Sequence, residues 1–197
     1  SKRLTSLYRI LQNKLNSHLH FAGFFYAYIF TIHYLCKKSF YMSITHLEPQ
    51  NIWKNFAALN AVPRPSKKEE RVIAFIKNFG ENLGLPTSVD EVGNVIIKKP
   101  ATAGMENRQT VVLQSHLDMV CQKNNDVDFD FDTEGIEMYV DGDWVKAKGT
   151  TLGADNGLGV AAIMSILEST DIAHPSIEAL FTIDEETGMT GALGLKP

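Results

Sequence analysis

Apolar residues recur at helical spacing along Val72, Ile73, Phe75, Ile76, Phe79 and Leu83, a stripe that predicts an amphipathic helix. Ser66 with Glu69 three residues later has the spacing of a capping box ahead of it, and Gly84 supplies a stop. A shorter helix is expected over residues 48–60, ended before Pro63. Two short strands are expected around Val92-Gly93-Asn94, the second being Val95–Ile97. Thr110–Gln114 (TVVLQ) and Ile177–Ile183 (IEALFTI) are compact apolar runs suited to buried strands. Residues 136–147 read as a hairpin turning at Asp141-Gly142. Gly157–Leu167 is apolar nearly all round, as expected of a core helix, and Thr190–Leu195 begins another helical stretch. Strands alternating with helices predict an α/β layered domain with a largely parallel or mixed sheet.

The two ends stand apart from this pattern. The first methionine is Met42, and residues 1–41 read as a non-native or disordered N-terminal extension to a protein that starts there. Their apolar run, Phe21–Cys36, is interrupted by Thr31 and His33 and falls short of the roughly 20 residues a membrane span needs. At the other end the sequence stops soon after a strand, as a truncated chain would. A net charge of -4 gives no basis for a nucleic-acid partner. Two cysteines, Cys36 and Cys121, make no disulfide framework and fit a reducing, cytoplasmic setting, with Cys121 read as a half-buried small residue.

Candidate chemistry lies at the C-terminal ends of the apolar runs, the edge where α/β sheets bind ligands. After TVVLQ comes Ser115-His116-Leu117-Asp118, where an extended backbone sends His116 and Asp118 to the same side. His116 is then either a structural histidine or a metal ligand supported by Asp118. Asp155 opens the apolar helix among Gly153, Gly157 and Gly159, either as an N-cap or as a carboxylate bridging two cations. Asp184-Glu185-Glu186 closes the last strand, either as a solvated loop or with one Glu as ligand and its neighbour as general base. Nitrogen and oxygen donors without thiolates suit catalytic zinc, or else manganese or cobalt.

The stretches VLQSHLDMV, LGADNGLGVA and TIDEETGMTGA, with the opening PQNIWKNFAALNAVPRPSKKEE, resemble the M20 metallopeptidases, most closely their aminoacyl-histidine dipeptidase branch. The resemblance runs from about Met42 to Pro197 and implies the layered catalytic domain of a zinc peptidase, without the family's lid and dimerisation domain. It implies that His116 binds one zinc with Asp118 behind it, that Asp155 bridges both zincs through a cis Asp155–Asn156 segment, and that Glu186 binds the other. Glu185 would be the general base. The implied function of the full-length protein is hydrolysis of dipeptides, of Xaa-His type with broad specificity, by a dimeric enzyme holding two Zn2+ (or Co2+ or Mn2+). Another M20 amidohydrolase, a tripeptidase or an inactive metal-binding fragment are the alternatives. The remaining ligands would lie beyond Pro197, so this stretch alone is expected to be inactive.

Overall fold

A computed structural model describes residues 43–196; the expectations for residues 1–41, the Phe21–Cys36 run included, lie outside the described residues. Behind a short 3-10 turn at Ile44–His46, helix α1 spans Gln50–Asn60 and α2 spans Glu70–Asn82, with Gly84 at φ 69 just past its end. Strands β1 (Thr87–Val89) and β2 (Val95–Lys99) flank a tight turn. One Asp90 carboxylate oxygen holds that turn by accepting the N–H groups of Val92, Gly93 and Asn94 at 3.0, 2.9 and 2.9 Å. Then follow β3 (Val111–His116), β4 (Met138–Asp141), β5 (Trp144–Ala147), helix α3 (Ala154–Glu168), β6 (Ile177–Thr182) and a short α4 (Thr190–Leu193). The expected hairpin is present as the β4–β5 pair, with Asp141 opposite Trp144.

The main sheet has the order β1-β2-β6-β3. β6 pairs antiparallel with β2 and parallel with β3, so the sheet is mixed, as expected. Cross-strand neighbours Val95 and Phe181, and Ile97 and Ala179, are fully buried. They share one core with Leu59 of α1, Val72 and Ile76 of α2, and Val160 and Met164 of α3. α3 is buried at Gly157, Val160, Ala161, Ile163, Met164 and Leu167, which is why its sequence shows so little polar face. No helix among the described residues is long and apolar enough to cross a membrane.

Two expectations fail here. Ser66 and Glu69 do not form a capping box: the N-cap position of α2 is Glu69 itself, without a side-chain cap bond, and both side chains turn inward to carboxylate and backbone partners. The Thr110–Gln114 run is not buried throughout. β3 is an edge strand among the described residues, and Val111 and Val112 are 42% and 59% exposed; only its end, Ser115 and His116, enters the interior.

Candidate metal centre

Because β3 and β6 run parallel, with His116 in register with Thr182, their C-terminal ends deliver side chains to one edge. His116 Nε2 lies 3.1 Å from Asp155 Oδ1 and 3.9 Å from Glu185 Oε2, and Nδ1 lies 3.2 Å from Asp118 Oδ1. One donor atom each from His116, Glu185 and Glu186 fall within 4.8 Å of one another. All five residues singled out in the sequence therefore meet in one place, drawn from three separate segments.

Asp118 is the tie between the two strands. Fully buried, it accepts the N–H of Glu185 at 3.0 Å, the N–H of Glu186 at 3.1 Å and the Ser66 hydroxyl at 2.7 Å. Asp184 has left-handed backbone (φ 52) and points inward, where its carboxylate accepts the hydroxyls of Thr187 and Thr190. Its N–H donates to Glu69 Oε1 at 3.0 Å. Anchoring Asp184 leaves Glu185 and Glu186 to face the site. Glu69, Asp118 and Asp184 also bring carboxylate oxygens within 4.8 Å of one another, but each has its own donors in the turn it stabilises.

Asp155 caps nothing. The N-cap position of α3 is Gly153, with no side-chain cap bond, and Asp155 and Asn156 have non-helical backbone joined by a cis peptide. The Asp155 side chain is 83% exposed toward the site, while the Asn156 amide oxygen takes the Ser115 hydroxyl at 2.6 Å.

The charges are unbalanced. Burial pulls the His116 imidazole down, but the hydrogen bonds it donates to Asp118 and Asp155 and the charges of Asp118 and Glu185 outweigh it and leave it raised. Burial pushes the Asp118 carboxyl up, yet its bonds to His116, Ser66 and two backbone N–H groups hold it far below the usual carboxylate range. Glu186 is raised by burial and by the surrounding carboxylates, with His116 opposing. Several carboxylates around one imidazole ask for added positive charge.

No family profile matches the chain. It is 50% identical over 153 residues to the cytosol non-specific dipeptidase of Escherichia coli (strain K12), covering 78% of this chain and 32% of that protein. It also superposes on the crystal structure of aminoacylhistidine dipeptidase from Vibrio alginolyticus with a TM-score of 0.78 and 51% identity, over 81% of this chain and 32% of that one. Over the matched residues the chain has the mixed α/β fold of that dipeptidase. A tripeptidase from Staphylococcus aureus, 24% identical with a TM-score of 0.62, shares that fold over 76% of this chain and 40% of its own. The chain spans about a third of the length of the two dipeptidases.

The donor set gathered here suits divalent zinc: an imidazole nitrogen and carboxylate oxygens, with no thiolate. Two ligand atoms about 2.0–2.2 Å from one tetrahedral ion would stand roughly 3.3–3.6 Å apart, a little more than the 3.1 Å hydrogen-bond separation between His116 Nε2 and Asp155 Oδ1. The half-buried Cys121 thiol instead bonds the Met119 carbonyl at 3.5 Å. Sequence reasoning missed Ser66 and Glu69 as supports, Asp184 as an anchor, and Asn60 and Arg64 altogether. Only Ser66 and Glu69 carried a local signal, and it pointed to a helix cap.

Proposed function

We propose that the protein to which this chain belongs is a two-zinc dipeptidase acting on short peptides in the cytoplasm. The observation that carries this is the meeting of His116, Asp155, Glu185 and Glu186 at one sheet edge, with Asp118 locking the imidazole from behind. Identity of 50% to a protein named cytosol non-specific dipeptidase supports both the substrate class and the compartment. In this reading His116 would hold one ion and Glu186 the other, with Asp155 shared between them. The chemistry such divalent cations would supply is polarisation of a scissile carbonyl and a lowered pKa for a nearby water.

The protein's own groups do the rest. Asp118 fixes the imidazole by its Nδ1 edge, so that Nε2 faces the site. Glu185, 43% exposed and 3.9 Å from that Nε2, is free to take a proton from water and return it to the leaving amine. Its backbone N–H is tied to Asp118, so the base moves with the strand end that carries the histidine.

The decisive test is Glu185→Gln in the full-length protein. Dipeptide hydrolysis should fall by about 10²–10⁴-fold, the usual worth of a positioned base, while bound zinc, measured by elemental analysis, stays unchanged. Turnover near the parent's would remove Glu185 from the role. Rates on Xaa-His dipeptides, tripeptides and N-acetyl amino acids, compared in one assay, would assign the substrate class.

A further inference from the structure

We propose that Arg64 is a positioning residue for this metal centre: its buried guanidinium sets the spacing between the His116–Asp118 turn and the Asp155 loop. The proposal rests on reading those side chains as ligands. Arg64 is 2% exposed. Nη1 donates to the backbone carbonyls of Leu117 at 3.0 Å and Asp118 at 3.2 Å. Nη2 donates to the Gly153 carbonyl at 2.6 Å and to Asn60 Oδ1 at 2.9 Å. Asn60 in turn donates its Nδ2 to the Leu152 carbonyl at 2.9 Å. One cation thus grips the turn just after His116 and the residue two before Asp155.

The glycines of the LGADNG stretch fit this role. A Cβ at Gly153 would sit 2.4 Å from Nη2, and one at Gly157 would sit 2.8 Å from it. The segment that presents Asp155 is therefore shaped around the guanidinium. Gly153 also takes a left-handed φ of 69, which favours glycine by itself, whereas Gly157 lies inside α3, where glycine is a poor helix former, and its Cβ would meet Phe56 as well as the guanidinium.

Stability alone gives a weak reason to keep an arginine here. All four acceptors are neutral, Nε has no partner among the described residues, and burial lowers the guanidinium to about 10. A buried cation without a bonded carboxylate is costly. What the four bonds supply is geometry: a planar fork meets acceptors from three segments at fixed angles, which an ammonium on a flexible stem does not reproduce.

The test uses the full-length protein as parent, Arg64→Lys and Asn60→Ala. Three quantities are read: zinc affinity by chelator competition, the visible spectrum of the cobalt-loaded protein, and the urea midpoint of the metal-free form. Arg64→Lys is expected to unfold cooperatively yet bind zinc about 10–100-fold more weakly, the usual effect of altering support behind ligands. Its cobalt bands should change in position or intensity, since the ligand geometry has moved; a loss of folded fraction alone would scale the spectrum without reshaping it. Asn60→Ala should move both readouts the same way by less. A folded Arg64→Lys protein with affinity within twofold and an unchanged cobalt spectrum overturns the proposal. If Arg64→Lys does not fold, Asn60→Ala decides by the same criteria; failure of both to fold assigns Arg64 to the fold alone and also overturns it. A parent that takes up no zinc is a different result: it refutes the metal-centre reading itself.

Discussion

Asp118 shows how much one carboxylate can organise. It holds the His116 ring, two backbone N–H groups of the β6 exit and the Ser66 hydroxyl, all from full burial. Its folded carboxyl is depressed, so its contribution is present above the unfolded value of about 4 and is lost as pH falls below it. Asp184, depressed by its bonds to Thr187 and Thr190, acts in the same sense; Glu69, raised by burial, acts oppositely. Metal-free Asp118→Asn protein should be less stable than its parent at pH 6. Its stability should also fall less steeply below pH 4, by at most about 1.4 kcal/mol per pH unit, the slope one proton carries. Urea unfolding across pH 3–6 reads both; an unchanged slope would mean that Asp118 is not the group responsible. At this scale the sequence showed the residues that present donors at strand ends. It hid those whose partners are distant backbone: Arg64 meets carbonyls 53 and 54 positions away, and no local spacing marks that.

Elements were legible where periodicity meets burial. The stripe of α2 and the all-round apolar α3 read correctly because each packs on the core that its pattern implies. β3 read as buried because apolar runs look alike whether a strand is central or at an edge, and neighbours along the sheet leave no trace in the run itself. The short α4 depends on a close approach that its own four residues scarcely suggest. A Cβ at Gly191 would fall 2.6 and 2.8 Å from the backbone N and O of Ile183, atoms that cannot step aside. Gly191→Ala gains about 1 kcal/mol in helix propensity but forces the helix off the β6 exit, at a cost of about 1–3 kcal/mol or more. The expected net result is a lower thermal midpoint; a higher one would show that α4 is not seated against Ile183.

For the molecule as a whole, a metal that binds only the folded state adds stability in proportion to the logarithm of its concentration over its dissociation constant, about 4 kcal/mol at a thousandfold excess. Full-length protein treated with EDTA should therefore melt at a lower temperature, and added zinc should restore the midpoint. A midpoint indifferent to both would count against a centre built from these residues. The layered α/β class was readable from the alternation of strands and helices, and the M20 resemblance from three long motifs, because both are written locally. The clamp that joins the motifs is written in contacts between them. The same pairing has a kinetic side. Glu185 and Asp118 bond across 67 residues, and β6 meets β3 only when that whole intervening stretch has closed into a loop. Such non-local pairing is slow relative to helix formation. The candidate metal-binding side chains thus stay apart through the early steps of folding, and an ion present from the start would have little to hold until the central strands have already met.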